Sequence, residues 1–245
     1  MSKISPYLII ISFVLLLVSF SKRNTLTDDI NVLPELSNEP AQSTVELPPF
    51  VTTYNDENFE IIPKYDYELT GLVVSYRLHD ADGGMMIHAL NKDHLNVADF
   101  CVVWGDSADP KLLREFDFSN GQFTCSYGTQ SRAAWNAFND DQLSNNHLLA
   151  IDDMVRDTIS EVKIGDQINI KGWLAHYINP LGYERGSSTV RTDTGDGACE
   201  TIYVNEISIL QPMKSKWRSL MSFSLGVLLI SLFLYFKAPY EPHKR

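Results

Sequence analysis

Apolar and polar positions divide the chain into two terminal apolar runs and a patterned interior. The first run extends from Ile4 to Ser21 and the second from Ser219 to Phe236, each about 18 residues without a formal charge, the lower end of what spans a hydrocarbon core as a helix. Trp217 and Tyr235 sit at the ends of the second run, where amphipathic rings favour the headgroup layer. Lys3 precedes the first run and no small-x-small cleavage site follows it, so a retained anchor is expected rather than a removed signal peptide. The predicted organisation is an N-terminal transmembrane anchor over 1–23, an acidic, Pro-containing linker over 24–63, a β-rich domain over 64–213, and a transmembrane helix with a short basic tail over 214–245.

Inside these bounds the period changes. YELTGLVVSYRL alternates as a strand, with Leu69, Val73 and Tyr76 as core contributors; HDADGG breaks it and MMIHAL resumes, a predicted hairpin. VADFCVVWG is a short apolar run of the buried-strand type. REFDFSNGQFTCSYG carries Asn120-Gly121, a hairpin signal because both residues tolerate positive φ. Ile151, Met154, Val155, Ile159 and Val162 follow helical spacing, with Asp152 and Asp153 in the first turn, where negative charge meets the positive end of the helix dipole. A shorter helix is predicted around SRAAWNAF. After Gly165, QINIKGWLAHYI and then CETIYVNEISIL read as strands. This order predicts a β-rich α+β fold, a small antiparallel β-barrel or rolled sheet of OB-like type with one or two helices, flanked by two transmembrane helices. A β-sandwich is the alternative. The stretch from Asn24 to Phe50 shows no period and is dotted with Pro34, Pro40, Pro48 and Pro49, as expected of an extended linker.

Charge removes one class of partner. Between Asn24 and Met213 there are 30 acidic against 11 basic residues, and counterion release needs basic side chains facing phosphates, so no nucleic acid is expected as partner. Basic residues beside the two runs are too evenly divided to orient the chain, but long segments cross largely regardless of charge. The expectation is a bacterial inner membrane with the central domain in the periplasm. In such an oxidising compartment the three cysteines would close one pair and leave one thiol. Cys101 and Cys125 lie in strand-like sequence, and a cross-strand bridge or two buried free cysteines both fit. No Cys-x-x-Cys pair exists, which excludes a standard zinc ribbon.

RTDTGDGACETIYV contains Asp-Thr-Gly, the tripeptide of aspartic proteases. Those enzymes need two carboxylates sharing a proton. Here there is one copy, and a polar lead-in precedes Asp193. The expected role is a turn, with Gly195 and Gly197 at positive φ and Asp193 and Asp196 bonding nearby backbone. His79, His88 and His94 are candidate metal ligands, but their spacing matches no zinc or calcium motif, and a polar hairpin tip is expected instead. Nucleophilic catalysis has candidates in Cys199 with His147 or His176, or in Ser187 and Ser188 near these histidines, without a nucleophile elbow around them. The residues fit a binding loop better: Arg185, Arg191, Asp193 and Glu200, with His147, form a candidate binding surface, in which Arg191 clamps Asp193 or Glu200.

LSNNHLLA, GDQINIKGWLAHY and GSSTVRTDTGDGACETIYV together resemble a pattern in uncharacterised membrane-anchored bacterial proteins. Asn145, His147, Gly165, Asp166, Gly172, Leu174, Ser187, Ser188, Arg191, Asp193, Thr194, Gly195, Gly197, Ala198, Cys199 and Glu200 carry it, over about the last third of the central domain. The resemblance brings no assigned activity. It implies that His147 and the Arg191–Glu200 loop belong to one structural or binding feature.

The expected function is that of a membrane-anchored envelope protein with a non-catalytic binding or accessory domain. It would need no cofactor and would act on a partner in the membrane or envelope, because tethering confines the domain there. The alternatives are a membrane-tethered hydrolase using Asp193 or a Cys199/His147 pair, and a metal-binding domain.

Overall fold

The computed structural model describes residues 5–27, 29–79, 90–121, 123–193 and 198–237. In chain order its helices are α1 (Ser5–Lys22), α2 (Pro110–Leu113), α3 (Arg132–Ala137), α4 (Asp153–Glu161) and α5 (Lys216–Lys237). The strands are β1 (Ala41–Thr44), β2 (Phe50–Tyr54), β3 (Glu57–Leu78), β4 (Asn96–Val103), β5 (Asp117–Asn120), β6 (Cys125–Gly128), β7 (Leu143–Leu149), β8 (Gln167–Ile178), β9 (Glu184–Arg185) and β10 (Glu200–Gln211). The chain forms two compact units, the terminal segments 1–27 with 214–245, and the segment 28–213.

In the terminal unit α1 and α5 meet where the Arg218 Nε donates to the Arg23 carbonyl at 3.1 Å and the Lys22 ammonium lies 5.1 Å from the centre of the Trp217 ring. Among the described residues, only α5 of the two expected spans is long and apolar enough to cross a membrane, with a mean hydropathy of 2.0. The expectation of two spans is corrected. The apolar part of α1 runs from Pro6 to Lys22, which at 1.5 Å per residue covers about 26 Å, short of a roughly 30 Å hydrocarbon core.

The segment 28–213 is β-rich α+β, as predicted. Eight strands form one sheet, and β5 and β6 form a separate hairpin. Strand β3 is 22 residues long and carries register shifts at Pro63/Tyr65 and Val73/Ser75. Bulges of this kind bend a strand and sharpen its twist. They let residues 60–72 lie along β8 while residues 72–78 lie along β4. β4 then pairs with β7, β7 with β10, and β10 with β8, so the pairing returns to β3. The sheet is mixed and not wholly antiparallel: β7 and β10 run parallel, because α4 and β8 intervene and bring the chain back to the end from which β7 began.

Alternate residues of these strands turn to opposite faces. One face buries Leu69, Val73, Phe100, Leu148, Ile170 and Ile202 in a core to which α4 adds Val155 and Ile159. The side chain of Asp152 caps α4 by accepting from the backbone N–H groups of Met154 and Val155, at 2.9 and 3.1 Å, satisfying donors that the helix itself cannot. Met154 is 76 % exposed, so the buried face is narrower than the apolar spacing implied. Beyond α4, Gly165 takes φ +87°, and the Asp166 carboxylate accepts from the backbone N–H groups of Lys163 and Met213.

Residues 24–63 are not a free linker. They supply β1, β2 and the start of β3. Tyr54 to Glu57 close a two-residue hairpin in which Asn55 and Asp56 both have positive φ, the turn that matches strand twist. Leu36 is fully buried, and the Gln167 side chain donates to the Asn31 carbonyl and accepts from the Leu33 N–H, each at 2.8 Å. β1 and β2 are four and five residues long with few buried positions, which hid them from a reading by period. The hairpin at Asn120-Gly121 exists, but Asn120 pairs with Cys125, so the loop is four residues long and not a two-residue turn. The predicted strand MMIHAL and the glycines of the Asp-Thr-Gly segment lie outside the described residues.

Gly172 sits where β8 and β10 approach most closely: a Cβ there would lie 2.1 Å from the Tyr203 carbonyl oxygen. Both atoms belong to paired backbones and neither can turn aside. Gly172→Ala is therefore expected to cost about 3 kcal/mol through forced separation of the strands, read as a lowered urea midpoint with an unchanged slope. A loss under 1 kcal/mol would show that the strands slide freely.

Candidate active site

Strand β4 is buried at every position, yet it contains a carboxylate, Asp99. Burying that charge is costly without ionic or hydrogen-bonding partners, and register supplies them. Asp99 pairs with His147 and Cys101 with Asn145 across β4 and β7, while Thr201 of β10 pairs with His147 on the other side. These residues share the face opposite the Phe100–Leu148–Ile202 core. Cys199, two residues before Thr201, falls on the same side.

The geometry is that of a relay. His147 Nδ1 lies 2.6 Å from Asp99 Oδ1, and His79 Nε2 lies 3.1 Å from the same oxygen. His147 Nε2 is left free of Asp99, and Cys199 lies near enough for its charge to act on the ring. Asn145 Nδ2 donates to the Cys199 sulfur at 3.4 Å and to the Phe123 carbonyl at 3.2 Å, and its Oδ1 accepts from Asn120 Nδ2 at 3.2 Å. Phe123, at φ 62°, is a bulky residue in a conformation few adopt. Its ring meets the His147 ring at a 5.8 Å centroid distance, and the Arg185 guanidinium lies 3.6 Å from its own centroid. The hairpin that carries Phe123 is fastened to β4 by the Cys101–Cys125 disulfide, while Cys199 is free and half-buried.

Charge follows the geometry. Burial pushes the Asp99 carboxyl up, but hydrogen bonds from His147 and His79 outweigh it and hold the group well below the usual carboxylate range. Burial pushes the His147 imidazole down, and hydrogen bonds to Asp99 and Cys199 with their charges outweigh it, raising the ring to about 9. One interaction is seen from both partners, so its energy counts once.

Glu200, next to Cys199, turns to the opposite face. Burial pushes its carboxyl up to about 8, against the lowering influence of its own backbone N–H and of Arg191. Its Oε2 has no hydrogen-bond partner among the described residues. Arg191 lies 5.0 Å from the Trp104 ring.

The predicted binding set is thus split by the sheet. His147 and Cys199 come together on one face, with Arg185 behind Phe123. Arg191 and Glu200 lie on the other, where Arg191 acts on Glu200 by charge. Asp193 stands apart from the His147–Asp99 pair: it accepts from the Ser188 hydroxyl at 2.5 Å and acts on the Glu200 carboxyl by charge. His176 is 3.4 Å from Glu184, and the Ser187 hydroxyl donates to the Ser188 carbonyl and accepts from the Thr201 N–H. His79 is held at Asp99, while the His94 carbonyl accepts from Arg156 at 3.3 Å; His88 lies outside the described residues. Among the described residues no group of three or more His, Cys, Asp and Glu side chains is placed to hold a metal ion. Asp99, Asn120 and Phe123 were missed. A lone carboxylate inside an apolar strand was the available signal for Asp99, since such a group is rarely fully buried unless paired.

Comparison with protein-family models, curated proteins and solved structures finds no match for this chain.

Proposed function

We infer that the chain is a cysteine-dependent acyl-transfer enzyme of the hydrolase type, held at a membrane by α5. The observation that carries this reading is the gathering of Cys199, His147 and Asp99 on one face of the sheet, with the imidazole oriented by the buried carboxylate and the sulfur held beside β7 by Asn145. Asp99 favours the shared proton on the imidazole, which leaves the sulfur nucleophilic. The sulfur attacks an ester, thioester or amide carbonyl, and the leaving group departs with the proton of His147. Water, deprotonated by His147, then cleaves the thioester and frees Cys199. The Asn145 amide, held by Asn120 and 3.4 Å from the sulfur, is the donor nearest to where an oxyanion develops.

The ring of pairings, its one parallel pair and a helix between β7 and β8 support an OB-like barrel as the scaffold. The disulfide supports an oxidising compartment, the periplasm of a bacterial envelope.

A second reading is a non-catalytic envelope module that binds a membrane partner, favoured by the Phe123 ring packed on His147. Incubation with p-nitrophenyl acetate separates the two. The enzyme is expected to release a burst of nitrophenolate while one acetyl group appears on Cys199 by peptide mass mapping. It should then deacetylate more slowly in His147→Ala than in the wild type. Acetylation spread over lysines, with none on Cys199, would leave the binding module standing.

A further inference from the structure

All three cysteines gather around one side chain, that of Asn145. Cys199 accepts its amide hydrogen. Cys101 is its register partner on β4. Cys125 is the register partner of Asn120, which donates to Asn145 Oδ1. We propose that Cys199 and the Cys101–Cys125 disulfide form a thiol–disulfide exchange unit, in which the Cys199 thiolate attacks Cys125 Sγ and Cys101 departs as a thiolate. One S–S bond forms as one breaks, and the proton that Cys199 gives to His147 is available to Cys101, so no outside oxidant or reductant is consumed.

Distances choose the sulfur that is attacked. Cys101 lies on β4 and Cys199 immediately before β10, on either side of β7, two steps of about 4.8 Å, so their Cα atoms are about 10 Å apart. A disulfide spans roughly 4.4–6.8 Å between Cα atoms, which excludes a direct Cys101–Cys199 bond. Cys125 belongs instead to the hairpin lying over this face. The Cys199 thiol already reaches the carbonyl of Phe123 at 3.8 Å, two residues before Cys125. Exchange moves the anchor of the hairpin from β4 to the start of β10 and blocks the nucleophile, so the enzyme in this state is silent until the bond returns. The inference rests on the reading of Cys199 as a His147-activated sulfur, and not on acyl transfer.

The test uses the full chain in detergent and non-reducing peptide mapping. In Cys101→Ser treated with oxidised glutathione, a Cys125–Cys199 bond is expected in most molecules. In Cys125→Ser under the same treatment, Cys101 and Cys199 should stay unbridged. If Cys101→Ser fails to fold, wild type held near pH 9 and quenched in acid should show a minor Cys125–Cys199 peptide with free Cys101. Absence of that bond in the folded variant, or in the wild type where the variant does not fold, overturns the proposal. Alkylation of Cys199 by iodoacetamide keeps the readings apart. His147-dependent alkylation without a bridge sinks exchange alone, a bridge without acetylation of Cys199 by the nitrophenyl ester sinks acyl transfer alone, and an inert Cys199 sinks both.

Discussion

Asp99→Asn is expected to cost about 3–5 kcal/mol near pH 6, the loss typical of removing one partner from a buried ion pair. The carboxylate is fully buried and neutralises His147, with His79 beside the same oxygen. An amide of the same size fills the space but leaves the imidazolium without a counter-charge. The pH dependence separates this from a simple packing loss. His147 titrates at about 9 when folded against an ordinary 6.5, so the native state holds a proton that the unfolded chain has released. That contribution, about 3 kcal/mol for a shift of this size, is complete below about pH 6.5 and gone above about pH 9. Asp99, held low by the same contact, keeps its share until acid protonates it. The cost of Asp99→Asn in urea unfolding should therefore be largest between pH 5 and 7 and shrink by more than half near pH 10. An equal cost at both values would show that His147 is neutral in the native protein.

Glu200→Gln is expected to act in the opposite direction. Its carboxyl is raised from 4.5 to about 8 by burial, so folding penalises ionisation, and the wild type loses stability as pH rises from about 4.5 to 8. At neutral pH that penalty is about 3 kcal/mol. Gln carries no charge to bury and keeps most of the shape. The variant should match the wild type near pH 4 and exceed it by about 4 kcal/mol near pH 8, with a thermal midpoint several degrees higher. Arg191, Asp193 and His147 all act on this carboxyl, so the measurement also reports on whether they stay in place. A variant less stable than the wild type at pH 8 would mean that Glu200 is ionised and paired.

What the sequence made legible follows from period and local chemistry. The core strands β3, β4, β8 and β10 and helix α4 were visible as patterns of apolar side chains, but β7 was not, because its buried positions include Ser144, Asn145, Asn146 and His147. The two-residue turn at Asn55-Asp56 was not visible either, because β2 is only five residues long with a single buried position, too short to show a period. The N-terminal anchor was over-read as a span, since about 18 apolar residues is the lower end of what crosses a bilayer and the apolar part of α1 described, Pro6–Lys22, falls short of it. Half of the candidate site was visible, as His147 and Cys199. Their partner Asp99 was hidden inside an apolar run, and only cross-strand register brings residues 99, 147 and 199 to one face. The binding loop from Arg185 to Glu200 failed as a unit for the same reason: neighbours such as Cys199 and Glu200 point to opposite sides of a strand, which sequence proximity conceals.

The central claim is that His147 and Asp99 make the Cys199 sulfur nucleophilic. The most direct measurement is the rate of Cys199 alkylation by iodoacetamide near pH 6 and near pH 9, in the wild type and in His147→Ala. Loss of the imidazole should slow the reaction about ten-fold or more near pH 6 while leaving the rate near pH 9 within a few-fold. Identical rates at both values in the two proteins would contradict the account.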